Sequence, residues 1–467
     1  MKKIQFQSLV GLGFIALFCL NVIFVIGGII TDKIGFIIVP IILSVVQIIL
    51  HNSFTRKQLT LQHYPLNARL NYILAKFSPR VLNCLFKNDF LKHSLSSKQY
   101  DLVIARANNV TTDIVKSSLM AEYLQFEGVK YSYSTNPSSL RVSDLLVQIG
   151  AQCGQPYTLS VLNIDGLTQR AINNDTILAL SEGANIQGCA VNTGRNGVSS
   201  SLIRGGSDLI WQIAHEDYVF RKDDGSFNEI LFRVTATRPY VKMVEVAFPR
   251  QEYAVTKRLS SNKTISFLGR LRDLSGGKPI GIRLFNPTKQ MAIQVCKLMR
   301  ETNIYLDFIT IDSTVTSTGF DSFNTIQASN DMRFKALADL KKAIDEYALP
   351  TKILVSGAIV SEYDILRSIA LGASACYCIT PMILAAHSGS LLELPDSIRQ
   401  RMRVANFHRN TISAMAKLMD LCGYSSLMEV KADDFYRRMD FFNTRSLKKI
   451  YFDNYHAHHT NSFLGLS

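Results

Sequence analysis

From Thr158 onward, short apolar runs alternate with helical patterns, and this rhythm constrains the fold more than any other feature of the sequence. Parallel strands cannot be joined by a tight turn. They need a crossover of a dozen or more residues, usually a helix, so repeated strand–helix alternation means βα units around a parallel sheet. Eight candidate strands begin at about Leu159, Gly188, Leu209, Val241, Pro279, Asp307, Lys352 and Ala375. Helical patterns lie over 168–183, 264–274, 287–301, 332–347 and 361–371, and a further one over 399–422 ends at Gly423. Pro287 suits a first helical turn because its φ is already fixed, and Gly372 follows the 361–371 helix as a left-handed C-terminal residue does. Eight strands in this order predict an α/β fold of the (β/α)8 type. An open doubly wound sheet is the alternative, because a strand count does not show closure.

A chain of 467 residues accommodates one barrel of about 250 residues with additions at its ends. The additions have a different character from the body. Up to Leu50 the charged side chains are Lys2, Lys3, Asp32 and Lys33, so nearly all of the formal +14 belongs to the chain beyond Leu50. Residues 9–30 carry no charge and are long enough to cross a hydrocarbon layer of about 30 Å; residues 34–50 sit near the lower limit of about 17. They read as a two-span transmembrane hairpin rather than a cleaved secretory signal. Lys2, Lys3, Arg56 and Lys57 flank it, which places both ends and the barrel on the cytoplasmic side. The expected domains are a membrane hairpin over 1–57, a helical collar over 58–150 that includes an amphipathic helix near 66–77, a barrel over 151–424 and a C-terminal extension over 425–467. Membrane lipid is the expected partner. Nucleic acid is not, because the basic residues are not interleaved with aromatics as single-strand binding requires. Eight cysteines, none at CxxC spacing, exclude a zinc ribbon and read as reduced filler.

The ends of the seventh and eighth strands carry the clearest chemical signal. The run from Ile353 to Ala358 is a buried strand leading into a turn of small residues, and the next strand leads into Thr380 and Pro381. In barrels of this kind those two loops often form a phosphate site, with glycine letting backbone N–H groups approach an anion. Ser356, Gly357, Ala358 and Thr380 are therefore cofactor-binding candidates. A tight structural turn accounts for Gly357 almost equally well.

Several further motifs occur in a shared order: Gln155-Pro156-Tyr157 before Leu162-Asn163-Ile164, Asn192-Thr193-Gly194, Gly206 to Ile213, Val241 to Glu245, Leu274 to Pro279 and Val404 to Thr411. In these the chain resembles the FMN-binding glutamate synthase-like family, its membrane-anchored members in particular, from about Tyr64 to the helix after His408. The resemblance implies a flavin-binding (β/α)8 barrel. It further implies an FMN-dependent oxidoreductase that makes glutamate from 2-oxoglutarate and ammonia, in full enzymes with an iron–sulfur cluster. By the same resemblance Arg283 stands where a lysine faces the flavin, and Asp312 positions the substrate.

The chain departs from the family pattern at its chemistry. Arg195 replaces an active-site carboxylate in Thr193-Gly194-Arg195-Asn196-Gly197, and a guanidinium with a pKa above about 12 is no general acid or base. The oxo-acid segment after Val246 is shortened, and the glycine-rich loop after Asp312 has lost its glycines. No cysteine lies between Ile379 and Pro395, so an iron–sulfur cluster is not expected. The opposing expectation is a noncatalytic pseudoenzyme that binds a ligand or partner at the membrane. His408 reads as a packing residue, His215 as part of a solvated loop, and the histidines from His456 to His459 as a polar tail.

Overall fold

The computed structural model describes residues 95–110, 127–130, 140–166, 172–214, 227–249, 262–313, 323–387, 397–440 and 442–453. The expected spans over 9–30 and 34–50, the helix near 66–77, the loop over 314–319, His215 and the histidine tail lie outside these residues. Among the described residues no helix is long and apolar enough to cross a membrane.

Eight parallel strands close into a barrel, which decides against the open sheet. They are β1 (Leu162–Ile164), β2 (Val191–Asn192), β3 (Leu209–Ala214), β4 (Val241–Ala247), β5 (Ile280–Phe285), β6 (Phe308–Asp312), β7 (Lys352–Ser356) and β8 (Ala375–Cys378). The ring closes where β8 pairs with β1, Cys376 opposite Leu162 and Tyr377 opposite Asn163. The helices α1 (Asn174–Gln187), α2 (Ser200–Gly205), α3 (Glu229–Ala236), α4 (Asn262–Leu274), α5 (Lys289–Thr302), α6 (Phe323–Glu346), α7 (Glu362–Ala370) and α8 (Thr380–Ala386) come after the strands in turn, and α9 (Ser397–Cys422) packs against α1 and α8. Side-chain caps start many of them: Asn173 accepts from the Thr176 N–H, Thr288 from Met291, and Ser361 from Asp364 in a capping box. Because Thr288 takes the cap, Pro287 sits one residue before it rather than inside the first turn. Gly372 does follow α7 with φ +113°.

The first strand differs from expectation in an informative way. The apolar run near Leu159 is two strands. Tyr157–Ser160 pairs antiparallel with Leu146–Ile149, and the barrel begins only at Leu162. The break is held locally: Asn163 Nδ2 donates to the Ser160 carbonyl at 2.6 Å. The hairpin plugs the amino-terminal end of the barrel, where Ile149 and Leu159 meet the inward residues Ala190, Ile210, Met243, Phe308, Leu354 and Ala375. Gln155 fastens it, its N–H to the Gly277 carbonyl and its side chain to Gly276. The motifs around Gln155 and Leu274–Pro279 thus meet as structure.

Two outer pieces pack on the helices α7, α8 and α9. The helix Ser97–Ala107 packs on α8 and α9, with buried Arg106 donating to Glu362 and to Thr411. A small sheet orders Glu127–Val129 beside Phe435–Arg438 and Thr444–Ser446, and Glu127 accepts from Arg367 and Arg437. Burial pushes the Glu127 carboxyl up, and the two guanidiniums outweigh it and hold it below the ordinary range.

Candidate functional site

Alternation along the strands points one residue in two into the barrel. At the amino-terminal end these are apolar; toward the carboxyl end they become polar. Asn163 and Asp165, Asn192, Gln212, Glu245, Arg283, Thr310 and Asp312, Ser356 and Tyr377 are all buried. This is the end where barrels of this kind carry their chemistry.

Arg283 is the centre of the layer. Its Nε donates to Glu245 at 2.8 Å, Nη1 to Asp312 at 2.8 Å and Nη2 to Asp165 at 2.5 Å. Asn192 Nδ2 and Thr310 Oγ1 donate to Glu245 at 2.8 and 2.6 Å, and Ser356 Oγ donates to Asp165. Burial alone would lower the Arg283 pKa, but the three carboxylates raise it well above the ordinary value. The cation is fixed, and three acids around one base leave the cluster with an excess of formal negative charge. Tyr377 lies under it, with the Arg283 guanidinium 5.6 Å from its ring centre; burial first, then Glu245, pushes its phenol well above the ordinary range. Among the described residues, Gln212 Oε1 and Tyr377 OH of this layer are buried without a hydrogen-bond partner.

The expected site residues therefore fall into two groups. Arg283 and Asp312 are in direct contact, and Ser356 joins them through Asp165. Gly357 and Ala358, half-buried, form the turn after β7, and half-buried Thr380 opens α8 after the neighbouring strand. The Ser356 hydroxyl is committed to Asp165, so the turn itself is lined otherwise. A Cβ on Gly357, whose φ is +154°, would collide with Nη1 of Arg333, with Arg333 Cζ at 3.3 Å and Ser313 Oγ at 3.0 Å. Arg333 comes from α6, is 1% exposed, and among the described residues none of its three guanidinium nitrogens has a hydrogen-bond partner. Burial, then neighbouring Arg367, pushes its pKa down to about 10. Arg195 lies exposed in the turn after β2, its guanidinium 5.9 Å from the Phe285 ring centre.

Sequence reasoning missed Asp165, Glu245 and Arg333. Glu245 had a signal: it shares the inward phase of the apolar residues Val241, Met243 and Ala247, and buried charges need partners. Arg333 had none, being one cation among several on a long helix. His408 is fully buried and bonds the Leu162 carbonyl at 3.0 Å, which fits its packing role. Burial pushes the Cys376 thiol up to about 12 and holds the Cys378 thiol well above its ordinary value, so these are inert filler. Among the described residues no cluster of metal-ligating side chains occurs.

Residues 229–390, from α3 past α8, match the conserved region in glutamate synthase. The glutamate synthase large subunit-like protein YerD of Bacillus subtilis (strain 168) is 22% identical over 414 residues, covering 73% of this chain and 78% of its own length. Similar solved structures include a flavocytochrome b2 variant, at TM-score 0.46 and 14% identity over 79% of this chain and 91% of its own. A mandelate oxidase with a monooxide FMN adduct gives 0.45 and 13% over 79% and 98%. The closed strand order, and not these shapes, makes the body a barrel. Over the matched segment the chain is similar to glutamate synthase, and that segment contains Glu245, Arg283, Asp312, Arg333, Ser356, Gly357 and Thr380.

Proposed function

We propose that this chain is a membrane-anchored, glutamate synthase-like barrel that binds FMN at its carboxyl-terminal mouth and does not make glutamate. The residues present fit the cofactor. Gln212 Oε1 is, among the described residues, an unsatisfied acceptor beside Gly166, where an added Cβ would crowd it at 3.3 Å, and a flavin ring offers an N–H to such an atom. The turn of Gly357 and Ala358, with Thr380 on the next loop, suits the phosphate end. When bound, FMN supplies hydride chemistry, and the protein supplies position and electrostatics.

The observation that carries the negative half of the proposal is the state of Arg283. A cation beside a flavin serves by offering charge as negative charge builds on the ring. Here Glu245, Asp312 and Asp165 already hold that charge. Two-oxoglutarate would meet the same excess of carboxylates, and repulsion between like charges in a buried setting is poorly screened. The exposed Arg195, standing where the resemblance expects a carboxylate, supplies no proton at the mouth.

The test uses the full chain purified in detergent. Visible flavin absorption, and FMN released on denaturation or taken up when added, is the expected result, together with no glutamate formed from 2-oxoglutarate and ammonia under reducing conditions. Colourless protein that takes up no FMN would refute the flavin part; glutamate formation would refute the closed-cluster part. The apolar segments over 9–30 and 34–50 support the anchor. Deleting residues 1–57 should move the protein from the alkali-resistant membrane pellet to the supernatant.

A further inference from the structure

We propose that Arg333 is the charged ligand of a phosphate monoester bound at the turn after β7, and that it sets a preference for monoesters over neutral or diester forms of the same ligand. This rests on the reading of the barrel mouth as a ligand site and names the chemistry at one end of it.

The first ground is a charge without a partner. A guanidinium stays protonated and presents five N–H donors in a planar fork. Arg333 is 1% exposed, yet among the described residues Nε, Nη1 and Nη2 all lack acceptors. Burying a cation in this way is strongly unfavourable unless an anion joins it. The Phe334 ring, 5.0 Å from Cζ, offers only a weak cation–π contact.

The second ground is that the neighbouring acids are already engaged. Asp364 accepts from the Val360 and Ser361 N–H groups and from Arg367 at 3.0 Å. Glu127 joins Arg367 to Arg437, and Glu362 is held by Arg106. Arg333 is what remains after these pairs are made.

The third ground is position. The guanidinium lies against Gly357, so close that any other residue there would displace it, with the Ser313 hydroxyl beside the same point. Glycine at this turn is thus required by the arginine as well as by the backbone. A planar fork matches two phosphate oxygens at once, and a terminal phosphate carries close to two negative charges near neutral pH. FMN meets this description; riboflavin has no phosphate, and in FAD the phosphate is esterified on both sides.

The experiment compares the full-length chain with Arg333→Met, which keeps the length and loses the charge, and with Arg333→Lys. Flavin fluorescence quenching gives affinities for FMN and riboflavin, and thermal melting is recorded with and without ligand. Expected for Arg333→Met is FMN affinity lowered at least tenfold, riboflavin affinity unchanged, and an unliganded melting temperature no lower than that of the parent. Arg333→Lys should recover part of the FMN affinity. If the parent binds neither flavin, the flavin reading fails separately. Inorganic phosphate that raises the parent's melting temperature but not that of Arg333→Met then still supports the site. The proposal is overturned by an unresponsive parent with both FMN and phosphate, by unchanged ligand affinity in Arg333→Met, or by an unliganded Arg333→Met that melts lower with its ligand response intact.

Discussion

Arg283 shows how one side chain decides what a barrel mouth can do. A lysine ammonium is a compact point charge, whereas a guanidinium spreads its donors in a plane. Here Nε, Nη1 and Nη2 each reach a different carboxylate, on β4, β6 and at the end of β1. Breaking a buried ion network by removing one sign costs about 3–5 kcal/mol, because the partners are left buried and uncompensated. Arg283→Met should lose stability of that order in chemical denaturation, and Asp312→Asn, which leaves the guanidinium two carboxylates, should lose clearly less. Equal losses would show that the cluster depends on Asp312 as much as on Arg283. Of this constellation Arg283 and Asp312 were legible in the sequence through the resemblance. Asp165 was not, because it comes after a three-residue strand whose end carries no mark.

Helices read well where they are long and poorly where they are short. The patterns behind α4, α5, α7 and α9 show in the sequence, whereas α2, α3 and α8, with 6, 8 and 7 residues, are too brief for a 3.6-residue period to stand out. Their helical state comes from caps and from packing on the strands. The crossing of α1 and α9 shows the same override of local preference. Gly183 lies inside α1, where alanine is ordinarily better by about 1 kcal/mol. A Cβ there would meet the Val404 side chain at 2.7 Å and the Arg401 carbonyl at 2.8 Å. Gly183→Ala is therefore expected to destabilise, by about 1–3 kcal/mol as an overpacked contact does. Thermal or urea unfolding checks the sign, and a stabilised variant would mean the two helices separate freely.

At the scale of the whole molecule, His408 ties α9 to the strand at which the barrel closes. Its Nε2 donates to the Leu162 carbonyl, so Nδ1 is the bare nitrogen, buried without a partner. Protonating it would bury a second donor and a charge, and burial accordingly lowers its pKa to about 4 from 6.5. Between these values the unfolded chain holds a proton that the folded chain refuses. This contribution to stability is therefore complete above about pH 6.5 and is lost as pH falls toward 4, about 3 kcal/mol in all. His408→Gln should flatten the stability profile in that window relative to the parent, as monitored by denaturant titration at several pH values. An unchanged slope would assign the acid sensitivity to other groups.

The order of the elements, their parallel sense and the apolar runs that form the strands were determined by the sequence alone, because local periodicity and short crossovers leave few other arrangements. Closure was decided only by tertiary structure. It depends on β8 meeting β1 across the length of the body, and on a hairpin that splits what reads as one strand in order to fill the bottom of the ring. The site shows the same division. Ser356, Gly357 and Thr380 stand at strand ends that the sequence marks. The pairing of Arg283 with Asp165, Glu245 and Asp312 spans separations of 118, 38 and 29 residues. Charges so far apart in the chain are brought within hydrogen-bond reach only by the closed barrel, and the same closure leaves Arg333 buried against Gly357 without an anion of its own.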